Sequence, residues 1–273
     1  MTMDFCCPIC GGKLVLGDNK IKRCPVGHSF DRSKEGYYNL LIGKSGGTHG
    51  DNAEMVLARR AFLSRGHYEP LRQKVVEIAL SLTPKRGTVL DIGAGEGYYT
   101  DAVERALYER DGSSNMLAFD ISKDAVKRLS RLNSRVSTAV ASSYNVPLSD
   151  SSVDLAMLIF SPLAREEILR TLKPRAKFLM VFPDEMHLYG LKSAIYKTPY
   201  KNTPEPTELE GFSLLSDIAL SYEISLDTTE QIRELFMMTP YAYRTSSYDR
   251  ERLLSNDSLS TEVAFRILAY EKN

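Results

Sequence analysis

The first residues of the chain that could do chemistry are three cysteines and a histidine near its start. Cys7 and Cys10 are separated by two residues, and Cys24 and His28 by three. Two short chelating pairs joined by a hairpin-sized loop supply the ligands of tetrahedral zinc, and thiolate and imidazole groups favour zinc over harder cations. Cys6 is expected to be a non-ligand, because Cys7 keeps the two-residue gap to Cys10. Four protein ligands leave no open position on the metal, so we expect a structural zinc site.

Other interpretations of the cysteines are a disulfide, a redox pair, or free thiols beside a surface histidine. No run approaches the roughly 18 apolar residues of a membrane span, and the N-terminus lacks the layout of a signal peptide. We therefore expect a cytoplasmic protein without a membrane partner, in which disulfides rarely persist. No strand-to-helix unit of the kind that carries a redox pair surrounds Cys7 and Cys10. The segment LVL and the turn residues GDN predict a small β-hairpin between the two chelating pairs.

A second candidate site lies in the segment TVLDIGAGEGYYT, residues 88–100. A short apolar run predicts a strand that ends at Asp91, and a helix is expected to begin around Tyr98. Glycines at such a strand-to-helix turn let a ligand approach the backbone, because no Cβ stands in the way. The next predicted strand ends at Asp120, where an acidic side chain can accept both ribose hydroxyls of a nucleoside. The candidate cofactor-binding residues of this region are Asp91, Gly93, Gly95, Glu96, Gly97 and Asp120.

The rest of the chain alternates between strand and helix patterns. Residues 123–183 read as helix, strand, strand, helix and strand in turn. Strands separated by helices predict a parallel, doubly wound sheet, so the expected fold class is α/β. The last third is expected to add a strand near Leu220, a helix near Glu230 and a strand near Val263.

The glycine segment resembles that of a known class of enzymes. Its glycines run GxGxG rather than GxGxxG, and an acid, Asp91, closes the strand before them. Both details resemble motif I of the S-adenosylmethionine-dependent, Rossmann-like methyltransferases. The resemblance implies that Asp91 faces the amino-acid end of the cofactor and that Asp120 holds the ribose. It also makes Ser161 and Pro162, after the fourth strand, candidates for the substrate cleft; the alternative is an ordinary nucleotide-binding fold.

Further segments, spread over almost the whole chain, are similar to one family. They are the cysteine–histidine arm, KEGYYNLL, ARRAFLSRGHYEPL, DIGAGEGYYT, MHLYGLKSAIY and ELFMMTPYAYR. Together they resemble the bacterial 23S ribosomal RNA guanine-N1 methyltransferases, which act on hairpin 35 and divide between two neighbouring guanines. The resemblance implies cofactor contacts by Tyr68, by Gly95 with Glu96, and by His187. It further implies that the arm grips the RNA, that two copies of the chain pair, and that macrolide resistance can follow from the modification.

On this interpretation the chain methylates guanine N1, which must lose its proton to a base that the sequence does not identify. Residues 1–42 form a zinc-binding RNA-recognition arm, residues 43–52 a linker rich in glycine, and residues 53–273 a Rossmann-like methyltransferase domain. Two other functions fit the same residues. One is a small-molecule methyltransferase with a structural zinc arm, and the other is a non-enzymatic RNA-binding module that keeps a cofactor fold.

The charge pattern gives mixed support for an RNA partner. The formal net charge is zero, so no global basic field points to a nucleic acid. Residues 1–50 carry seven lysines and arginines against four acids, with Tyr37 and Tyr38 available for stacking on bases. These cations and the arginines that follow would make RNA binding salt-dependent, although an ordinary solvated face has the same composition. The arginines that follow are Arg59, Arg60, Arg65 and Arg72.

The segment LKPRAKF departs from the KPGG turn that Rossmann-like methyltransferases commonly carry. Arg175 and Ala176 stand where those enzymes have glycines. We therefore expect either another backbone conformation or a strained non-glycine residue in this turn.

Overall fold

The computed structural model describes residues 4–43, 52–113 and 115–273. The predicted linker, residues 43–52, lies outside this part of the chain except for its first and last residues. None of the helices in the described ranges combines the length and the apolar character that crossing a membrane requires.

The N-terminal segment folds into a small antiparallel sheet. Its strands are β1 Val15–Leu16, β2 Lys22–Arg23 and β3 Ser29–Phe30, in that spatial order. A 3-10 turn, Asp18–Lys20, joins β1 to β2. The predicted hairpin is therefore confirmed, and β3 adds a strand that the sequence pattern did not indicate.

A second, larger sheet contains eight strands. They are β4 Tyr38–Asn39, β5 Thr88–Ile92, β6 Asn115–Asp120, β7 Ser137–Val140, β8 Val153–Ile159, β9 Leu172–Pro183, β10 Phe212–Leu226 and β11 Leu259–Lys272. Their spatial order is β10-β11-β9-β8-β5-β6-β7-β4. The strands from β4 to β9 pair in parallel, as predicted, whereas β11 pairs antiparallel with both β9 and β10. An antiparallel edge on an otherwise parallel sheet is common in α/β folds.

Helices cover this sheet. They are α1 Ala53–Ser64, α2 Glu69–Leu82, α3 Tyr98–Asp111, α4 Lys123–Leu132, α5 Arg165–Thr171, α6 Tyr189–Ile195, α7 Thr229–Met237 and α8 Ser247–Leu254. The predicted helix starts at Ala53 and Tyr98 are confirmed. The side chain of Asn52 caps α1 by accepting the backbone N–H of Met55 at 2.9 Å, which satisfies a donor that the first helical turn leaves open.

The central strands are apolar because both of their faces are covered. All five residues of β5 are buried, and buried side chains form a cluster on each side of the sheet. The carboxyl ends of β5, β6 and β8 are therefore the place where a ligand can reach the sheet.

The cysteine-bearing segment packs against the larger sheet. Phe5 and Leu14, exposed by only 1% and 2%, belong to the same buried cluster as Leu90 of β5. The backbone N–H of Cys6 donates to the carbonyl of Pro147 at 2.7 Å. Strand β4 pairs in parallel with β7 and so extends the sheet at its edge. The N-terminal segment and the helix-covered sheet thus share one core.

The turn that lacks the usual glycines is strained. Arg175 has a φ of +60°, in the left-handed region that favours glycine. An L-residue in this region costs roughly 1–2 kcal/mol. The second of the two expectations for LKPRAKF is therefore confirmed. Arg175 lies near the start of β9, at the opposite end of the sheet from the carboxyl ends of the parallel strands.

Candidate metal centre and cofactor cleft

The two chelating pairs meet in space. Sγ of Cys7 and Sγ of Cys24 lie 3.5 Å and 3.4 Å from Nδ1 of His28, and the sulfurs of Cys10 and Cys24 are 3.6 Å apart. All four ligand atoms lie within 4.8 Å of one another. Zinc–sulfur bonds of about 2.3 Å place the corners of a tetrahedron about 3.8 Å apart, so the cluster has the size that zinc requires.

Two tight turns present these side chains. The N–H of Gly11 donates to the carbonyl of Cys7 at 2.8 Å, and that of Gly27 to the carbonyl of Cys24 at 3.0 Å. Gly11 and Gly27 have φ angles of +70° and +96°, a conformation that favours glycine. This explains why one glycine directly follows the first chelating pair and the other lies inside the second pair. Cys6 lies outside the cluster, and its Sγ is 3.1 Å from the hydroxyl of Ser149.

The surroundings of Cys24 favour the thiolate form of its side chain. Burial by itself raises its pKa, but hydrogen bonds from the Cys10 thiol and from the backbone at Val26 and His28 outweigh burial and lower the pKa to about 6. A thiolate is the form that binds a metal, so these donors favour metal binding at neutral pH.

A cleft of about 640 Å³ opens at the carboxyl ends of β5, β6 and β8. This volume suits a nucleoside-sized cofactor. Seven of the candidate cofactor-binding and substrate-cleft residues line it, and they are Asp91, Gly93, Gly95, Glu96, Asp120, Ser161 and Pro162. Gly97 lies just behind them, as the residue before α3.

The glycines have different roles. A Cβ on Gly93 would lie 2.1 Å from Oγ of Ser161, and one on Gly97 would lie 2.3 Å from Cδ1 of Leu129, so packing excludes a side chain at both positions. A Cβ on Gly95 would meet only a guanidinium nitrogen of Arg59, at 3.9 Å. The backbone at Gly95 is therefore open toward the cleft, as a ligand that approaches it would need.

The two acids at the strand ends are held differently. Asp120 accepts the backbone N–H groups of Gly95 and Ser122 at 2.9 and 2.7 Å, which fixes its carboxylate at the rim of the cleft. Asp91 is only 2% exposed and accepts the hydroxyl of Thr100 at 2.6 Å. Burial raises the pKa of Asp91 to about 7.

Arg59 is the one cation among the described residues that line this cleft. From the sequence, Arg59 was expected among the arginines that bind RNA, whereas in the structure it lies over the glycine loop. A signal was present in the sequence: Arg59 follows Val56 by three residues and precedes Leu63 by four, so it lies on the buried face of α1. Its guanidinium also lies 3.5 Å from the carbonyl of Met238.

Tyr68 and His187 come together, but one layer behind the cleft. They are 3% and 8% exposed, and the Tyr68 hydroxyl lies 3.4 Å from Nε2 of His187. Phe160 lines the cleft, and the centre of its ring lies 6.5 Å from that of Tyr68 and 6.4 Å from that of His187. Phe160 has a φ of +55°, so the chain turns sharply where β8 ends.

Family models match both parts of the chain. A zinc-ribbon model described as "RlmA, N-terminal" matches residues 5–42, and a model described as "Methyltransferase domain" matches residues 89–179. These matches and the geometry above assign zinc and S-adenosylmethionine as cofactors.

Individual proteins are also similar to this chain. It is 36% identical over 192 residues to the "23S rRNA (guanine(748)-N(1))-methyltransferase" of Streptomyces fradiae, a match that covers 69% of this chain and 66% of that one. It is 30% identical over 267 residues to the "Putative 23S rRNA (guanine-N(1)-)-methyltransferase YxjB" of Bacillus subtilis (strain 168), covering 93% and 92% of the two chains. The crystal structure of the YcgJ protein from Bacillus subtilis superposes with a TM-score of 0.50 at 14% identity, covering 74% of this chain and 99% of YcgJ, and shows likeness of fold alone.

Proposed function

The chain belongs to the 23S rRNA (guanine-N1-)-methyltransferase family, and on that premise we propose that it methylates N1 of one guanine in hairpin 35 of 23S rRNA. One observation above all supports this proposal. The Cys3His cluster and the strands that end at the glycine-lined cleft share one buried hydrophobic core. The name of the relative from Streptomyces fradiae specifies guanine 748, and we propose the same guanine as the target of this chain.

The charges of the cleft support S-adenosylmethionine as the methyl donor. This cofactor carries an ammonium and a sulfonium, both positive, and one carboxylate. Three acids and one arginine line the cleft, so each charged group of the cofactor has a partner of opposite sign. We assign the ribose hydroxyls to Asp120, the amino-acid end to Asp91 and Glu96, and the carboxylate to Arg59. We propose that the cofactor approaches the backbone at Gly95, and that Gly93 and Gly97 contribute by letting the loop pack against Ser161 and Leu129.

We also propose cofactor contacts for Tyr68 and His187, as the family resemblance implies. Because the ring of Phe160 lies beside both, such contact requires this ring to turn away. The Phe160 side chain can rotate toward solvent, since 43% of it is exposed.

The target guanine would enter beside Phe160, Ser161 and Pro162. This loop follows β8 and faces the glycine loop, because Oγ of Ser161 lies next to Gly93. A guanine in a stem-loop must leave its stack to reach this position, and an exposed aromatic ring can hold an unstacked base. When bound, the cofactor supplies a methyl group on a good leaving group, so the residues of the cleft act mainly by positioning and desolvation.

The small sheet β1 to β3 and the Cys3His cluster, here called the zinc module, would hold the RNA while the cleft acts on it. We propose Cys7, Cys10, Cys24 and His28 as the zinc ligands, residues 1–42 as the RNA-recognition part and residues 53–273 as the methyltransferase part. A closed four-ligand site has no position for catalysis, so its role is to shape the surface around it. We also propose a cytoplasmic enzyme, because its ribosomal RNA substrate lies there.

We further propose that two copies of the chain associate. Strand β10 forms one edge of the larger sheet, and its Leu214 and Leu215 are 45% and 49% exposed. A hydrophobic sheet edge favours pairing with another chain. Light scattering on the purified protein checks this, since a dimer has twice the chain mass of 30.6 kDa.

Primer extension on 23S rRNA tests the main proposal. A methyl group on N1 blocks the pairing edge of guanine, so reverse transcriptase stops there. The stop in hairpin 35 should be present in wild-type cells, absent after deletion of the gene, and restored when the gene is returned. An unchanged stop in the deletion strain contradicts the proposal. Failure of the purified enzyme to methylate protein-free 23S rRNA, together with activity on small molecules, would favour the small-molecule alternative.

A further inference from the structure

A second groove, of about 700 Å³, adjoins the cofactor cleft. The two depressions share Leu63, Glu96 and Tyr98, which form the wall between them. Helices α1, α2 and α4 contribute arginines to this second groove, which we call the arginine groove. These arginines are Arg60, Arg72, Arg128 and Arg131.

Two acids of the arginine groove, Glu69 and Asp101, are already bound to arginines, whereas two of the groove's arginines have no acidic partner among the described residues. Glu69 binds Arg72 at 2.7 Å, and Asp101 accepts from an arginine of its own helix at 2.9 Å. Within the described ranges, neither Arg60 nor Arg128 has a carboxylate within 4.0 Å. Two guanidinium groups therefore remain available for a ligand with negative charges.

The arginine groove extends from the cofactor cleft toward the zinc module. Arg131, on its rim, binds Glu35 at 2.9 Å, and Lys127 lies 3.7 Å from the same carboxylate. Glu35 lies between β3 and β4, in the segment through which the chain leaves the zinc module. An RNA strand held by the zinc module would therefore cross the arginine groove on its way to the cleft.

We propose that the arginine groove binds the phosphate backbone of the RNA strand next to the target guanine. This inference rests on the proposed function. Guanidinium groups match the geometry of phosphate oxygens and bind them through paired hydrogen bonds. The guanidinium of Arg72 also lies 4.9 Å from the centre of the Tyr98 ring, a cation–π contact at the wall shared with the cleft. Phosphate contacts at this wall would set the register of the strand, so that one guanine faces the methyl donor.

The test measures how binding depends on salt. A transcript that contains hairpin 35 is titrated with the full-length zinc-loaded protein over a series of KCl concentrations, with fluorescence anisotropy as the readout. We expect the R60Q/R128Q double variant to bind more weakly. The plot of log K against log salt should become shallower by about 1–2, since each lost phosphate contact reduces the magnitude of its negative slope by roughly 0.7–0.9. The R60K/R128K variant should keep the wild-type slope, because it keeps the charges.

Two controls separate this effect from others. R175Q removes one positive charge at the opposite end of the sheet and should leave the slope unchanged. Calorimetry with S-adenosylhomocysteine should give wild-type affinity for the R60Q/R128Q variant. A wild-type slope in R60Q/R128Q overturns the inference, as does a loss of cofactor affinity that accompanies the loss of RNA binding. If the variant binds the transcript normally but methylates ribosomal particles poorly, the groove contacts a protein instead. If the wild-type protein does not bind the transcript at all, the proposed function fails as well.

Discussion

The hydroxyl of Tyr68 lies 3.4 Å from Nε2 of His187, and the direction of this hydrogen bond is fixed by the surroundings of the imidazole. Nδ1 of His187 accepts the backbone N–H of Ala264 at 3.2 Å, so it carries no proton. Burial lowers the pKa of His187 to about 3, which keeps the ring neutral at physiological pH. The proton therefore lies on Nε2, and the imidazole donates to the oxygen of Tyr68.

Tyr68→Phe removes the acceptor of this hydrogen bond. The N–H of His187 is then buried without a partner, which costs about 1–3 kcal/mol of the free energy of unfolding in urea. Tyr248→Phe is the matched control, because 70% of Tyr248 is exposed and its loss should change stability by less than about 0.5 kcal/mol. If Tyr68 contacts the cofactor, Tyr68→Phe also weakens binding of S-adenosylhomocysteine. Unchanged affinity would contradict the cofactor contact but not the hydrogen bond to His187.

Removal of one zinc ligand is expected to empty the metal site. Cys7→Ser and Cys24→Ser should lower the zinc content from about one ion per chain to nearly none, as measured by atomic emission on dialysed protein. Cys6→Ser is a matched control, since Cys6 is also buried, is next to Cys7 in sequence and lies outside the cluster. Binding of S-adenosylhomocysteine should persist in all three variants. Zinc loss in Cys6→Ser with retention in Cys7→Ser would show that the two neighbouring cysteines have the opposite roles.

Local pattern in the sequence predicted the features that depend on neighbouring residues. The clustering of the cysteines with His28, the helix start at Tyr98 and the strand end at Asp120 are confirmed, and the strand predicted to end at Asp91 ends one residue later, at Ile92. Each is fixed by a few adjacent residues, through chelate spacing, turn chemistry or an apolar run.

Features that depend on distant pairing were not predicted. The two-residue strand β4 has too few residues for a pattern, and it is a strand only because β7 lies beside it. The strand predicted near Val263 is confirmed as β11, but its antiparallel direction, which follows from its place between β9 and β10, was not predicted. The helical spacing of Arg59 indicates the buried face of α1, but the sequence could not show that this face opens into the cleft or that Arg60 lines the neighbouring groove. Both depend on how α1 packs on the sheet.

Arg175→Gly is expected to stabilise the protein. The substitution removes the cost of an L-residue at a φ of +60°, and its net gain should be about 0.5–1 kcal/mol after the greater entropy of glycine in the unfolded chain is subtracted. The ion pair with Glu271 that is lost contributes little, because 81% of the Arg175 side chain is exposed. Ala176→Gly is the control: Ala176 is buried and has no positive φ, so glycine there should lower the free energy of unfolding. A loss of stability in Arg175→Gly would contradict the strain.

The buried carboxyl of Asp91 makes stability depend on pH. Its pKa is raised by burial to about 7 in the folded protein, against about 3.9 in an unfolded chain. A raised pKa stabilises the fold at pH values below the pKa of the unfolded chain. This contribution is lost as the pH rises through the pKa of the folded protein. Asp91→Asn keeps an oxygen that accepts the Thr100 hydroxyl but does not titrate. The stability of the wild type relative to Asp91→Asn should therefore fall by roughly 2–3 kcal/mol between pH 5 and pH 8, measured by urea unfolding. Parallel pH profiles would show that Asp91 titrates normally.

The assignment of Arg59 to the carboxylate of the cofactor can be tested with two ligands. S-adenosylhomocysteine has this carboxylate, whereas 5′-methylthioadenosine has the same nucleoside without the amino acid. Arg59→Gln should weaken calorimetric binding of the first ligand about 10- to 100-fold, since a hydrogen bond to a charged group contributes about 1.5–3 kcal/mol, and should leave the second unchanged. Arg59→Lys should restore part of the loss because it keeps the charge without the paired donors. An equal loss for both ligands would show that Arg59 shapes the cleft as a whole and does not bind the carboxylate.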